Sequence, residues 1–160
     1  MIVIKAACEA DIPLIKELAY TIWNIVYKQI LSKDQLAYML EKMHSMEALS
    51  KLMHDDHKFI IPSEYGVAKG YCCYKLYPEK VRIEKLYVLP QAHKKGIGKV
   101  MVNFVIEKIS TQVNIMELNV NRHNNAVDFY KRLGFEIVKE VDIPIGGGYF
   151  MNDFVMQKKL

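Results

Sequence analysis

The stretch from Val81 to Met101, VRIEKLYVLPQAHKKGIGKVM, constrains the fold of this chain more than any other. An apolar strand runs through Pro90 into a basic turn, and the apolar spacing after that turn predicts a helix. The first turn of a helix leaves backbone N–H groups unpaired and carries the positive end of the helix dipole. Gly96 and Gly98 have no Cβ, so the backbone there can approach an anion closely. The stretch therefore predicts a phosphate-binding turn between a strand and a helix.

Two common phosphate-binding motifs do not fit this turn. A Walker loop requires G-x-x-x-x-G-K-[ST], and the dinucleotide fingerprint requires three glycines in the pattern G-x-G-x-x-G. Four basic side chains accompany the glycines, namely His93, Lys94, Lys95 and Lys99. Their charge favours a polyanionic cofactor.

Composition excludes several classes of protein. A length of 160 residues with 51% hydrophobic residues predicts one globular domain, residues 1–160, with a full core. The net charge of +4 is spread along the chain, so we expect no nucleic-acid partner. No apolar run approaches the roughly 18 residues needed to span a bilayer, and the N-terminus has no signal peptide. We therefore expect no membrane partner and a cytoplasmic location.

The cysteines and histidines do not form a metal-binding pattern. Cys8, Cys72 and Cys73 include no C-x-x-C pair, so neither a disulfide framework nor a zinc site is expected. Two of them lie in an apparently buried strand and are interpreted as core residues. The run from His54 to His57, HDDH, is interpreted as an ordinary polar helix end, and no metal is expected there.

Hydrophobic periodicity predicts a mixed α/β domain. Strands are predicted at residues 2–5, 59–62, 67–77, 81–89, 115–120, 135–141 and 149–157. Helices are predicted after Asp11 for about three turns, after the capping box at Ser32, at 46–53, along 97–109 and along 126–133. The segment from Pro144 to Gly148 is predicted to be too flexible for a strand interior. This order indicates a mixed sheet with helices on its faces.

Two segments resemble the GNAT-type N-acetyltransferases. In that family a turn of the form [QR]-x-x-G-x-[GA] binds the pyrophosphate of acetyl-CoA, and here the turn is His93-Lys94-Lys95-Gly96-Ile97-Gly98. His93 stands where Gln or Arg is usual, and Lys94 often aligns with a glycine. The second segment, Leu118 to Phe135, LNVNRHNNAVDFYKRLGF, matches the family's asparagine and F/L-Y-x-K/R-x-G-F pattern. The chain resembles the family along its whole length, and its last segment looks most like the bacterial PaiA-type spermidine acetyltransferase branch.

The resemblance implies a fold and a reaction. The expected GNAT fold has a mixed, mostly antiparallel sheet of six to seven strands with helices on both faces. The expected reaction transfers an acetyl group from acetyl-CoA directly to a primary amine, a small amine or polyamine, in a ternary complex. Two alternatives stay open, a protein N-terminal or lysine acetyltransferase and a catalytically silent acyl-CoA-binding module. A homodimer through a sheet edge or the C-terminal strand is also implied.

The resemblance further assigns cofactor-binding residues. Main-chain groups of Leu86, Tyr87 and Val88 would face the pantetheine arm, and the N–H near Val88 would polarise the thioester carbonyl. The pyrophosphate would be surrounded by His93, Lys94, Lys95, Gly96, Ile97, Gly98 and Lys99. Asn124, or Asn125 in an alternative alignment, would hydrogen-bond the pantetheine or phosphate side of the cofactor.

Two residues are candidates for proton transfer. Tyr130 matches the family tyrosine near the CoA sulfur and is predicted to donate the proton to the leaving thiolate, with a core tyrosine as the alternative. Glu84 matches a glutamate that acts as the base in polyamine acetyltransferases, with an exposed ion-paired residue as the alternative. Weaker candidates are Tyr87, His123 and Asp153. The aromatic residues Tyr20, Trp23, Tyr27 and Tyr38 are expected in the core, part of them lining an acceptor cleft.

Overall fold

The computed structural model describes residues 1–109 and 111–160, in which eight strands and five α-helices follow the predicted order. The strands are β1 (Ile2–Ala6), β2 (Lys58–Glu64), β3 (Val67–Ala68), β4 (Gly70–Leu76), β5 (Val81–Val88), β6 (Ile115–Asn121), β7 (Glu136–Gly146) and β8 (Tyr149–Lys159). The helices are α1 (Ile12–Val26), α2 (Lys33–His44), α3 (Met46–His54), α4 (Ile97–Ile109) and α5 (Ala126–Arg132).

All eight strands form one mixed sheet. Its order is β1-β2-β4-β5-β6-β8-β7, with β3 also paired to β2. The β5–β6 pair is parallel and the other pairs are antiparallel, which confirms the predicted mixed, mostly antiparallel sheet. The count exceeds the predicted six to seven because residues 67–77, predicted as one strand, are divided at Lys69 into β3 and β4.

Helices cover both faces of the sheet. Helices α4 and α5 pack on one face, called the α4 face, against β4, β5, β6 and β8. Helices α1 and α3 pack on the other, called the α1 face. Successive strand residues point to opposite faces, so Cys72 lies in the α4-face core and Cys73 in the α1-face core. Both thiols are free and buried, as predicted.

Two predicted helix starts differ in how they are capped. Ser32 accepts a hydrogen bond from the Gln35 N–H at 3.1 Å, which confirms the predicted N-cap of α2. The Asp11 side chain does not cap α1. Its carboxylate accepts instead from the Cys8 N–H at 2.9 Å, within a short 3-10 helix that precedes α1, and pairs with Lys5 at 2.8 Å. Helix α1 has 15 residues and is one turn longer than predicted.

Strand β7 continues beyond its predicted end. It was predicted to stop at Val141 but extends to Gly146, and Ile145 is buried against α1 and α2. The prediction that Pro144 and Ile145 lie outside a strand is therefore wrong. Proline is tolerated because β7 is the outer strand, where a missing N–H leaves no sheet hydrogen bond unmade. A homodimer through this sheet edge stays a prediction.

A gap opens between the two parallel strands. Pairing of β5 with β6 ends at Ile83, opposite Leu118, although β5 continues to Val88. At the same place the β4 partners jump from Ile83 to Lys85, which leaves Glu84 as the extra residue of a β-bulge. Bulges bend the strand that carries them. Strand β5 therefore turns away from β6 after Ile83 and leaves its peptide groups without a β6 partner.

A buried carboxylate holds the strands together where the gap begins. Glu117 of β6 accepts hydrogen bonds from Lys80 Nζ at 2.9 Å and Gln157 Nε2 at 2.6 Å, and it also pairs with Arg82. Burial alone would raise the pKa of Glu117, but these hydrogen bonds and the Arg82 charge outweigh it and lower the pKa. Glu117 thus connects β5, β6 and β8 at the last paired residues.

Replacing Glu117 with alanine should destabilise the fold, because Lys80 and Arg82 lose their shared counter-charge. We expect the free energy of unfolding in urea to fall by about 2–3 kcal/mol at neutral pH, less than for a fully buried pair because both cations are partly exposed. A lowered carboxyl pKa gives stability that is present above the ordinary value of 4.5 and is lost on acidification. The difference between variant and wild type should therefore shrink below that pH.

Glu140→Ala provides the matched control. Glu140 pairs with Arg122 at 3.0 Å, but its side chain is 64% exposed. Its removal should change the unfolding free energy by no more than about 0.5 kcal/mol. Equal losses in the two variants would show that Glu117 is an ordinary surface carboxylate.

Candidate active site

The direction of the β5 peptide groups determines what faces the gap. Leu89 donates its N–H to the Lys69 carbonyl at 2.8 Å, across toward β4. Peptide groups alternate in direction along a strand, so the main chain of Tyr87 also faces β4. The N–H groups of Leu86 and Val88 point the other way, into the gap. Leu86 and Val88 thus present their N–H groups to the gap, whereas Tyr87 presents its own to β4, and the main-chain contacts of these three residues with a pantetheine arm stay a prediction.

His93 fastens the turn to the end of β5. Its Nε2 lies 2.8 Å from the carbonyl oxygen of Val88. A carbonyl oxygen only accepts, so Nε2 carries the proton and donates it. The side chain is thus fastened to the strand through Nε2, and its contact with a pyrophosphate stays a prediction.

The turn presents a row of free amides at the start of α4. The first helical hydrogen bond runs from the Val100 N–H to the Gly96 carbonyl at 3.0 Å. Among the residues that the structure describes, no acceptor bonds to the N–H groups of 94–99. The Ile97 side chain is buried, so this residue can offer a ligand only its amide. Free amides at the positive end of a helix are groups that attract anions, and a pyrophosphate contact at this turn stays a prediction.

Two residues of the turn, Gly96 and Lys94, have a positive φ angle. Gly96 has φ +77°, and a Cβ built there would meet nothing within 4 Å, so the space beside it is open. Lys94 has φ +65°, a conformation that L-residues adopt at a cost. A glycine would adopt it freely.

Gly98 has a packing role that the sequence did not reveal. A Cβ at Gly98 would lie 2.8 Å from the ring of Phe129 in α5. The glycine therefore lets α4 and α5 approach closely and so keeps α5 beside the gap. The lysines around the turn are exposed, and Lys95 pairs loosely with Glu64 at 3.5 Å. Lys94 and Lys99 are exposed beside it.

Tyr130 lies on the α4 face, where the side chains of Leu86 and Val88 also pack. It is 6% exposed, and its ring contacts Phe129 and Phe135 at centroid distances of 5.1 and 5.6 Å. Burial raises the pKa of its hydroxyl well above the ordinary value. In the described part of the chain this hydroxyl has no hydrogen-bond partner. The phenol therefore stays protonated and is available as a donor.

Aromatic side chains occupy the opposite face beside the gap. The hydroxyls of Tyr27 and Tyr87 lie 3.0 Å apart, and Trp23 packs on both rings at centroid distances of 4.8 and 5.4 Å. Burial raises the pKa of both phenols. Two of the four aromatic residues predicted from the first helices, Trp23 and Tyr27, thus lie at the gap. Tyr38 lies on helix α2, and its hydroxyl donates a hydrogen bond to the Ile145 carbonyl of β7.

The structure separates the two alternative asparagines. Asn124 Oδ1 accepts a hydrogen bond from the Ala126 N–H at 2.9 Å at the start of α5, and its amide lies beside the Tyr27 hydroxyl. Asn125 is exposed. Asn124 is therefore the residue positioned near the gap, where a cofactor contact stays a prediction. His123, one of the weaker candidates for proton transfer, is also exposed.

Two carboxylates lie near the gap on the α1 face. Glu84 sits on the bulge, and its side chain is 27% exposed and pairs with Arg82 Nε at 3.4 Å. Asp153 of β8 is 5% exposed and accepts from Asn119 Nδ2 at a long 3.5 Å. In the sequence, Asp153 is the one charged residue in the mostly apolar run YFMNDFVM. This was the one sequence signal that could have made it a stronger candidate for proton transfer. The role of Glu84 as base stays a prediction.

Within residues 1–109 and 111–160, no three His, Cys, Asp or Glu side chains are grouped so that they could hold a metal ion. None of the helices in those residues has the length and apolar character needed to cross a bilayer. In the run from His54 to His57, His54 Nδ1 lies 2.9 Å from the Ser50 carbonyl and its Nε2 lies 3.0 Å from a Glu9 carboxylate oxygen.

Replacing Lys94 with glycine should stabilise the protein. A lysine adopts the left-handed conformation at a steric cost, whereas a glycine loses more chain entropy on folding. Because the steric cost is the larger of the two, we expect the unfolding free energy to rise by about 0.5–1 kcal/mol. Lys95→Gly is the matched control, because it removes the same charge at a residue without positive φ. It should lose about 0.5–1 kcal/mol in the same urea titration. Equal losses in both variants would contradict the strain at Lys94.

Comparison with known proteins identifies the family. A family model described as an acetyltransferase (GNAT) domain matches residues 27–143. A spermidine N(1)-acetyltransferase of Thermoplasma acidophilum is 27% identical over 157 residues, which cover 93% of this chain and 91% of the relative. The crystal structure of a PaiA N-acetyltransferase from Thermoplasma acidophilum, in complex with coenzyme A, has the same fold, with a TM-score of 0.84 at 23% identity over 100% of this chain and 99% of that one. The Escherichia coli ribosomal-protein-S18-alanine N-acetyltransferase has a TM-score of 0.75 at 14% identity, over 99% of this chain and 94% of that one. The chain belongs to the GNAT family of acetyltransferases, enzymes that use acetyl-CoA as co-substrate.

Proposed function

We propose that this enzyme transfers the acetyl group of acetyl-CoA to a primary amine of a small molecule, with a polyamine as the leading acceptor class. The observation that carries the proposal is the presence of two sets of free amides, one on β5 and one on the turn. Those of Leu86 and Val88 face the gap, and those of residues 94–99 face the turn. The first set suits a pantetheine arm and the second a pyrophosphate. The similarity to a spermidine acetyltransferase supports the acceptor class.

Direct transfer in a ternary complex fits the thiols beside the gap. An acyl-enzyme would require a nucleophilic thiolate, and Cys72 and Cys73 are the cysteines in the central strands. Burial raises the pKa of the Cys72 thiol well above its usual value and that of Cys73 to about 12. Both therefore stay protonated and unreactive near neutral pH. The amine would attack the thioester itself.

Two hydrogen-bond donors, one from the main chain and one from a side chain, would stabilise the charges that form during the transfer. The Val88 N–H would hold the oxyanion that forms on the thioester carbonyl. The Tyr130 hydroxyl would donate a hydrogen bond to the departing sulfur. A CoA thiol has a pKa of about 8.5, below that of this buried phenol, so the sulfur would leave as a hydrogen-bonded thiolate and then take its proton from the acetylated nitrogen.

Contacts above the α1 face favour a small acceptor over a protein. Gln35 Nε2 donates to the Phe150 carbonyl at 2.8 Å, and Tyr38 Oη donates to the Ile145 carbonyl at 2.9 Å. These bonds fasten α2 to the β7–β8 hairpin across the acceptor side of the gap. A protein N-terminus or a lysine side chain within a polypeptide would require an open groove there.

An acceptor panel tests the proposal. Purified protein and acetyl-CoA would be incubated with spermidine, spermine, an alanine-terminated peptide or a lysine-containing peptide, and CoA thiol release would be followed. We expect release with the polyamines and little with the peptides. Transfer to the peptides alone would overturn the small-amine assignment. Thermal stabilisation by acetyl-CoA without transfer to any amine would indicate the silent acyl-CoA-binding module instead.

Replacing Tyr130 with phenylalanine should slow the chemical step while leaving stability and acetyl-CoA affinity nearly unchanged. Loss of one hydrogen bond to a developing thiolate should lower kcat by about 10- to 10²-fold. Tyr74→Phe is the matched control, since Tyr74 also packs on the α4 face but lies toward the other end of β4. Full kcat in the Tyr130 variant, with chemistry rate-limiting, would make Tyr130 a core residue only.

A further inference from the structure

Asp153 lies across the gap from the tyrosine pair. It is paired with Asn121 of β6. Extending the β5–β6 register past the extra residue at Glu84 puts Tyr87 level with Asn121. Neighbouring Phe154 packs on the α4 face, so Asp153 points to the α1 face, and its charge raises the pKa of Tyr27. The carboxylate and the two phenols thus border the same end of the gap from opposite sides.

The Asp153 carboxylate lacks the partners that a buried charge normally has. It is 5% exposed, and its one hydrogen bond comes from Asn119 at 3.5 Å. Within the described residues no cation lies within ion-pair distance of it. Arg122 is held by two carboxylates of β7, and Arg82 is held by Glu117. A buried carboxylate without a close cation costs stability, which indicates that a cation is supplied from outside the chain.

The surroundings of Asp153 also make it a better base than an ordinary carboxylate. Burial raises its pKa above the usual 3.8, and this exceeds the opposing effects of the Asn119 hydrogen bond and of the Arg122 and Arg82 charges. Tyr27 faces it from α1, and its neutral phenol adds no charge. On β7 the residue opposite is the apolar Val141. A base works best when its pKa approaches the operating pH.

We propose that Asp153 binds the ammonium form of the acceptor amine and takes one proton from it before attack, an assignment that rests on the proposed acetyltransferase function. The free amine then forms the C–N bond to the thioester carbon, and the C–S bond breaks. The nitrogen's second proton passes to the thiolate, and Asp153 releases the first proton to solvent. The net reaction converts an ammonium and a thioester into an amide, a thiol and one proton.

Glu84 is less suited to this step. Its carboxylate already has Arg82 at 3.4 Å, whereas Asp153 has no cation in contact. It also sits at the bulge, where β5 has just left β6, while Asp153 is level with Tyr87 farther along the gap. Of these two carboxylates, Asp153 is therefore the one that offers an incoming ammonium an unpaired negative charge.

Kinetics of three variants test the assignment, with kcat/KM for spermidine measured from pH 6 to 9. Asp153→Asn should lose about 10²-fold or more near neutral pH and recover toward high pH, where the amine loses its proton without help. Glu84→Gln tests the competing base, and if Asp153 takes the proton, the pH profile should change less in this variant than in Asp153→Asn. Asp142→Asn, which removes an exposed carboxylate that pairs with Arg122 at 2.7 Å, is the matched control and should keep both rate and profile.

Outcomes of these kinetics separate the two proposals. If Asp153→Asn kept the wild-type rate and profile while the wild type acetylated spermidine, the Asp153 assignment alone would fail. A larger loss in Glu84→Gln, with the low-pH rate selectively reduced, would transfer the role to Glu84. A wild type inactive toward every amine would overturn both proposals. Thermal stabilisation by acetyl-CoA, unchanged in each variant, would show that the fold and the cofactor site are intact.

Stability provides a readout that does not depend on activity. A carboxyl group whose pKa is raised on folding binds more protons in the native state, so it destabilises the protein at pH values above its folded pKa. Asp153→Asn should therefore raise the melting temperature by about 2–4 °C at neutral pH and by little below pH 4. A lower melting temperature at neutral pH would show that Asp153 is a structural residue and would overturn the proposal.

Discussion

The departure of β5 from β6 leaves peptide groups in the middle of a sheet with no strand to pair with. Buried backbone N–H and C=O groups are almost always hydrogen-bonded. Leaving one of them without a partner costs more free energy than a formed hydrogen bond contributes. Here the groups without a strand partner are the N–H groups of Leu86 and Val88, near the free amides of the turn. A ligand with amide and phosphate groups would complete the sheet at the one place where the chain does not. The rest of the structure positions groups around this gap.

One extra residue both opens the gap and determines what borders it. Before the bulge, Val81 and Ile83 point to the α4 face, whereas after it Leu86 and Val88 do so. The shift keeps the apolar side chains beside Tyr130 and leaves Tyr87 on the α1 face, next to Tyr27. Glu117 resists further separation by holding β5, β6 and β8 at the base of the gap. The bulge and the buried carboxylate thus act against each other, and their balance fixes where the gap begins.

The sequence predicted the order of elements well, because each element carried a local signal. Helix spacing, the Ser32 cap and the alternation around Cys72 and Cys73 are short-range patterns, and the structure confirms them. Long-range features were not predictable in this way. The bulge at Glu84 depends on the register with β4, and the contact that requires Gly98 comes from α5.

The surroundings of the candidate site residues could be predicted only in part, for the same reason. Motif matching located the turn, but it could not show that Tyr87 directs its main chain at β4 or that His93 bonds back to Val88. Asp153 lies on a strand remote in sequence from the signature segments, so its isolation from cations appears only when β6, β7 and β8 are assembled.

The sheet separates the two halves of the proposed chemistry. Tyr130 approaches the gap from the α4 face, whereas Tyr27, Tyr87 and Asp153 approach it from the α1 face. Sulfur would therefore leave toward a neutral donor on one face, while the amine would arrive on the other. Burial raises the pKa of the Tyr27 and Tyr87 phenols, so neither carries charge near neutral pH, and Asp153 is a buried carboxylate beside them. An acceptor with a cationic amine on an aliphatic chain matches that lining, whereas an anionic acceptor would be repelled.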